Sequence, residues 1–184
     1  EAMKTLTFPV VLKSDVSGQH KTESGGVFLN LRDRPQLVAA FIEVAKRGGP
    51  AIVQPMLTGG HELILGMIMD PTAGPLMMFG FGGVNVEVVN DVTFRIHPLT
   101  DVDVREMVRS VRGFPLLTGF RGAPGIRLEP IEEALLRLSQ LVRDFPEISE
   151  LDINPFVALP GGPTAAVDVR IRLNGQKKFP VENV

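Results

Sequence analysis

Two segments near the end of the chain alternate apolar and polar residues with period two: Leu151-Asp152-Ile153-Asn154-Pro155-Phe156 and Ala166-Val167-Asp168-Val169-Arg170-Ile171. Such alternation marks half-buried strands. Pro160-Gly161-Gly162-Pro163 between them carries the turn chemistry of an antiparallel pair. Leu151 and Ile153 then face one side, Asp152 and Asn154 the other, and a suitable register adds Asp168 to the polar face. Upstream, residues 8–13, 27–31 and 51–57 predict strands, with Pro9 confining the first to a strand start or an edge. Asp33 caps a helix over 35–47 whose apolar stripe is Leu37, Val38, Phe41, Ile42 and Ala45, ended by Gly48-Gly49-Pro50. Residues 62–69 and 76–79 read as strands, and 84–89 with 92–97 as a hairpin around Asn90-Asp91. Thr100 with Asp103 opens a helix to about 112 in a capping-box arrangement, and 114–125 is irregular. Pro130 begins the strongest helix, reaching 145 with Ile131, Leu135, Leu138, Leu141 and Val142 on one face. This order of elements predicts an α+β fold with largely antiparallel sheets.

Composition narrows the function classes. At 184 residues the chain is one domain or two small lobes. A net charge of −2 and the absence of any Lys/Arg block give no electrostatic case for a nucleic-acid or membrane partner. With no cysteine there is neither a disulfide framework nor a thiolate metal cage. No apolar run reaches about 18 residues and no signal peptide opens the chain, so the cytoplasm is the expected location. Residues 1–7 read as the tail of a helix running into the first strand, which predicts a piece cut from a longer protein.

The polar face of the C-terminal hairpin offers oxygen ligands with no imidazole or thiolate. That set suits Mg²⁺, which takes one or two protein oxygens and completes its shell with phosphate and water; two ordinary surface strands are the plainer reading. Lys13 ends a buried strand, where a cation either snorkels to water or reaches a ligand. His20 lies in Gln19-His20-Lys21-Thr22-Glu23-Ser24-Gly25-Gly26. A loop histidine is commonly a surface residue, yet an imidazole nitrogen is a competent nucleophile toward a phosphoryl group, and the glycine amides allow close approach of an anion. Gly80-Phe81-Gly82-Gly83 is a structural turn or a phosphate contact; no Gly-Lys-Ser/Thr follows it, so it is not a P-loop. Arg95, His97 and Arg121 are candidate positive charges. No Ser-His-Asp order, zincin helix or dinucleotide fingerprint is present.

Taken together, Phe8-Pro9-Val10-Val11-Leu12-Lys13, the His20 to Val27 loop, Val53-Gln54-Pro55-Met56, Gly80-Phe81-Gly82-Gly83-Val84, Phe94-Arg95-Ile96-His97-Pro98-Leu99-Thr100 and Leu151-Asp152-Ile153-Asn154-Pro155 resemble one family. It is the ATP-grasp part of the NDP-forming acyl-CoA synthetases, which comprise the ADP-forming acetyl-CoA synthetases and their relative succinyl-CoA synthetase. The resemblance runs over nearly all of residues 8–173. It implies a two-lobed ATP-grasp fold, with residues 1–53 a truncated small lobe and 54–184 the large lobe. It also implies ATP/ADP and Mg²⁺ as cofactors. Lys13 is expected to contact nucleotide phosphates, Gln54, Pro55 and Met56 to form the hinge reading the adenine edge, and Glu62 to lie near the ribose. Gly82, Gly83, Arg95 and Arg121 complete the expected nucleotide contacts. Asn154 and Asp168 match metal-ligand positions, with Asp152 beside them. His20 matches the histidine that, in the ADP-forming branch, accepts the phosphoryl group before passing it to ADP.

The activity implied is that of an acid–CoA ligase (ADP-forming) converting acyl-CoA, ADP and phosphate to acid, CoA and ATP. Its CoA-binding and ligase domains, or an α subunit, would be partners, in an oligomer. Two other readings stay open on the sequence. One is a ligand-sensing, synthetase-like module of a protein lysine acetyltransferase. The other is an ATP-grasp ligase working through an acylphosphate, which needs no phosphohistidine.

Overall fold

A computed structural model of the chain describes residues 6–14, 26–46, 48, 50–82 and 91–174. Contacts divide the chain into two units, Glu1–Thr58 and Gly59–Val184. In the first, β1 (Val10–Ser14) lies between β2 (Val27–Leu31) and β3 (Ala51–Pro55), both antiparallel to it. Gln54 and Pro55 pair with Val11 and Val10, so the expected hinge residues begin inside this sheet, and the division between units falls beyond the expected 53/54 boundary. Alternation sends Val10 and Leu12, both fully buried, against α1 (Arg34–Ala45). The Asp33 carboxylate starts α1 by accepting the Gln36 N–H at 2.9 Å, as an N-cap should.

The stripe of α1 differs from the expected one. Leu37, Ala40 and Val44 are buried, whereas Val38, Phe41 and Ile42 are exposed. The helix is apolar around most of its circumference, so periodicity alone offers more than one face. The row with the small Ala40 at its middle is the one packed on the sheet.

The second unit is a sheet with helices on one face. Its elements in chain order are β4 (His61–Asp70), β5 (Gly74–Phe81), β6 (Val92–Ile96), α2 (Asp101–Ser110), α3 (Phe114–Thr118), β7 (Gly119–Phe120), β8 (Ala123–Pro124), α4 (Glu129–Asp144), β9 (Ile148–Ala158), β10 (Thr164–Ala166) and β11 (Val169–Leu173). The strand order is β10-β9-β4-β5-β6, with β11 also on β9, and every pairing among the described residues of this sheet is antiparallel. β6 therefore pairs with β5; the other strand of the expected hairpin, 84–89, lies outside the described residues. Residues 114–125, expected to be irregular, contain α3 and the two-residue strands of a tight ribbon, because Gly119, Arg121 and Gly122 take positive φ and turn the chain back on itself.

Leu63, Leu65 and Met67 of β4, Met77 and Phe79 of β5, and Leu151 and Ile153 of β9 face α2 and α4. They meet Val104, Met107 and Val108 of α2 and Ile131, Leu135, Leu138 and Val142 of α4. Each of these large side chains stabilises the fold by about 1.5–3 kcal/mol through removal from water. Among the described residues no helix is long and apolar enough to cross a membrane.

The expected capping box of α2 is formed. The Thr100 hydroxyl accepts the Asp103 N–H at 3.2 Å, and the Asp103 carboxylate accepts the Thr100 N–H at 2.8 Å and its hydroxyl at 2.6 Å. These bonds, the side-chain one first, hold the Asp103 carboxyl below its ordinary value. A lowered acid contributes stability above its unfolded pKa and loses it as pH falls through the folded one. Thr100→Ala is thus expected to cost about 1 kcal/mol at neutral pH. Urea denaturation should find that gap narrowing as the pH drops below the ordinary aspartate range.

Candidate functional site

The face of the second sheet turned away from α2 and α4 carries the polar residues. β9 and β11 run in one register, Val169 opposite Ile153 and Arg170 opposite Asp152, and β10 continues it with Ala166 opposite Phe156. Between the two short strands the Asn154 N–H donates to the Asp168 carbonyl at 3.1 Å, and the Val167 N–H to the Pro155 carbonyl at 3.0 Å. Asp168 thus lies across from Asn154, and directly opposed residues of an antiparallel pair share a face. Leu151 and Ile153 go to the core; Asp152, Asn154 and Asp168 come together on the other side. The expected register is the one observed, and it adds Arg170.

Asp152 is half-buried, and its Oδ1 has no hydrogen-bond partner among the described residues. Burial pushes its carboxyl above the usual value; the Arg170 guanidinium opposes this, while Glu150 and Asp168 add to it. A half-buried carboxylate oxygen without a partner, two strand-borne oxygen side chains beside it and no nitrogen or sulfur donor form a set that fits a hard cation. Among the described residues no group of three His, Cys, Asp or Glu converges. A Mg²⁺ ion does not need one, since phosphates and water supply the remainder of its shell.

Gly82 closes this corner. Its N–H donates to the Glu62 carbonyl at 2.7 Å, and a Cβ built on it falls 2.7 Å from the Leu63 carbonyl oxygen and 3.1 Å from Asn154 Oδ1. The backbone can lie against the Asn154 amide only because no side chain intervenes. Gly82→Ala is expected to destabilise the protein by about 1–3 kcal/mol, because the obstacle is main chain that cannot swing aside; chemical denaturation reads this directly. Glu62 is exposed, and alternation along β4 puts it on the face of Gly66.

Gly66 and Arg170 belong to this surface and are not among the expected residues. Gly66 lies opposite Asp152, and a Cβ there falls 2.6 Å from the Leu151 carbonyl oxygen. A lone glycine inside the apolar run 62–69 is the signal, since it marks a close backbone approach. For Arg170 the signal is the same alternation that places Asp152.

In the first unit, Lys13 and Gln54 are on the face of the sheet away from α1, because Val10 and Leu12 occupy the other. Lys13 is buried, and Gln54 Oε1 is buried without a hydrogen-bond partner among the described residues. The Met56 N–H donates to the Pro9 carbonyl at 2.9 Å, and its thioether accepts the Asn30 N–H.

One expected cation is placed elsewhere. Arg95 pairs opposite Met77 and so projects to the helix side, where it lies 3.8 Å from Glu106 and donates to the Phe94 carbonyl at 2.9 Å. Pairing with Met77 aims it away from the Asp152 face. Arg121 is in the β7–β8 turn with its guanidinium 5.3 Å from the centre of the Phe120 ring. His97 is tied to α4 through Nε2 and the Ser139 carbonyl at 3.0 Å. His20 and Gly83 lie outside the described residues.

The model of the ATP-grasp domain family matches residues 1–173. The acetate–CoA ligase [ADP-forming] I of Archaeoglobus fulgidus is 42% identical over 182 residues, covering 92% of this chain and 26% of that protein. The β subunit of acetate–CoA ligase [ADP-forming] I from Pyrococcus furiosus is 38% identical, covering 91% of this chain and 76% of the subunit. A solved structure of Ca. Korarchaeum cryptofilum dinucleotide forming acetyl-coenzyme A synthetase 1 superposes with a TM-score of 0.83 at 41% identity, covering 94% of this chain and 80% of that one. It holds coenzyme A and Mg-AMPPCP, with its phosphohistidine segment pointing towards the nucleotide binding site. The chain thus spans about a quarter of the single-chain relative and about three quarters of the β subunit. Its fold is the ATP-grasp fold, as the motifs lead one to expect.

Proposed function

Because the chain belongs to the ATP-grasp domain family, in the group of the ADP-forming acetyl-CoA synthetase β subunits and domains, we propose that it is the phosphoryl-transfer domain of an acid–CoA ligase (ADP-forming). The observation that carries this reading is the corner where Asn154 and Asp168 face each other across two strands, beside the unpartnered Asp152 oxygen and the bare backbone of Gly82.

In the second unit, Asn154 and Asp168 hold Mg²⁺, with Asp152 beside them. When bound, Mg²⁺ neutralises charge on the nucleotide phosphates and on the group in transfer. Gly83 lets phosphate oxygens approach its backbone amide, while Gly82, its own N–H given to the Glu62 carbonyl, backs the Asn154 amide; Glu62 takes ribose hydroxyls and Arg121 adds positive charge. Arg95 is left with its contact to Glu106. In the first unit, Lys13 contacts phosphates and the backbone of Gln54 to Met56 reads the adenine edge. His20 carries the phosphoryl group on a ring nitrogen. The ADP β-phosphate oxygen attacks that phosphorus, the N–P bond breaks, and ATP leaves with the imidazole restored. In the whole enzyme, formation of the acyl phosphate and release of acid and CoA belong to CoA-binding and ligase domains or an α subunit, in a cytoplasmic oligomer.

Calorimetry of ADP and ATP binding, with Mg²⁺ and with a chelator, tests the reading. Micromolar binding that needs the metal is the expected outcome. Binding indifferent to the metal, or no binding by the full-length polypeptide, would contradict it.

A further inference from the structure

Asp91 is buried, and both of its carboxylate oxygens are engaged by backbone remote in sequence. The N–H groups of Arg112 and Gly113, in the turn after α2, donate to Oδ1 at 2.8 Å and Oδ2 at 2.7 Å. Its carbonyl accepts the Phe81 N–H at 3.1 Å. Phe81 is the last residue of β5, and the next, Gly82, lies against Asn154 Oδ1. Gly113 belongs to the same cluster, because a Cβ there would run into the Phe81 ring. Phe81 also makes a T-shaped contact with His61, 6.3 Å between ring centres.

We infer that Asp91 is a positioning residue for the Asn154 amide: it anchors Phe81 to the α2 turn, and so sets where Gly82 stops against the oxygen proposed to hold the cation. The inference rests on the function proposed above. The chemistry explains why a carboxylate stands here. Two adjacent N–H groups outside the helix ladder converge on one side chain, and only a carboxylate offers an acceptor to each without carrying a donor of its own. An asparagine in its place would have one acceptor and would turn an N–H₂ toward an N–H. The backbone bond from Phe81 to Asp91 would survive, but the anchor that fixes its position would be weakened. A side chain that merely completed a turn would have no reason to be joined, through one peptide unit, to a neighbour of Asn154.

The test compares the full-length polypeptide with its Asp91→Asn, Phe81→Leu and Thr100→Ala variants. In each, the Mg²⁺ concentration that half-saturates nucleotide binding is measured well below the melting temperature. Thr100→Ala weakens α2 at its far end and leaves Gly82 alone, so it should lower Tm without moving the Mg²⁺ midpoint. Asp91→Asn is expected to raise the midpoint about tenfold, the lower end of what loss of an outer-shell partner costs a metal site. kcat at saturating Mg²⁺ should change far less. Phe81→Leu, which keeps the backbone bonds but removes the ring packed on Gly113 and so loosens the same anchor, should raise the midpoint too, and it decides the matter if Asp91→Asn does not fold. Variants that lower Tm and leave the midpoint at the wild-type value would overturn the inference. A wild-type protein that binds nucleotide without regard to Mg²⁺ would overturn the function beneath it as well.

Discussion

Asp168→Ala is expected to weaken Mg²⁺-dependent nucleotide binding by at least about 100-fold, the upper end of what an outer-shell partner costs a metal site and a minimum for a direct ligand. The fold should survive, because what Asp168 gives the sheet is main chain: its carbonyl, not its carboxylate, accepts the Asn154 N–H. Alanine keeps that bond and the register on both sides of it. The lost carboxylate also stops pushing the Asp152 carboxyl up, so the metal-free variant should be at least as stable as the wild type. Calorimetry with ADP and Mg²⁺, alongside thermal melting without metal, separates the two effects. A large fall in melting temperature would mean that Asp168 serves the fold, and unchanged binding would remove it from the site.

His20→Ala should abolish acid-labile phosphate labelling of the full enzyme by ATP, leaving only background. The chain has three histidines. His97 is bonded through Nε2 to the Ser139 carbonyl on α4, and His61 stands perpendicular to the Phe81 ring. An imidazole whose position is set by a bond to a helix is a poor candidate for carrying a phosphoryl group between reactants. His20 has the composition for that task around it, with hydroxyls, Lys21 and a pair of glycines that suit a hinge. The N–P bond is labile in acid and stable in base, which distinguishes it from a phosphoserine at Ser17 or Ser24. Label persisting in His20→Ala, or found on His61 or His97, would overturn the assignment. Loss of label with nucleotide binding intact would place His20 in transfer and not in binding.

The C-terminal strand pair is legible in the sequence because it has one buried face, and burial leaves no freedom in register: a slip of one residue would put Leu151 and Ile153 in water and Asp152 in the core. The same logic fails for β6. Thr93 and Arg95 alternate with Phe94 and Ile96, and alternation alone would assign the apolar pair to the core. Yet Phe94 and Ile96 are 40% and 63% exposed, and Arg95 goes to the helix side and Glu106. Alternation states that two faces exist, and only the tertiary arrangement decides which of them meets α2. The α1 stripe escapes the pattern for a related reason, since a helix apolar on several sides leaves the choice to the sheet it meets. Asp91 is invisible in its role, because both groups it binds lie about twenty residues further along and its local sequence reads as an ordinary turn.

Asn154 and Asp168 stand on backbone joined by a hydrogen bond, on strands whose pairing is continuous on either side. The separation of their Cα atoms is therefore a property of the ladder, and only side-chain rotation is left to adjust the two oxygens to a cation held as proposed. Discrimination between Mg²⁺ and the larger Ca²⁺ comes from cavity size, ligand number and the freedom of the ligands to rearrange. Two protein oxygens would exert little of it, so at the proposed site ionic radius would be judged by the rest of the shell, the phosphates and water. The proposed corner would then be permissive at the level of occupancy. The choice of productive ion would pass to the transfer step, where order about the phosphates counts and mere retention of a divalent ion does not.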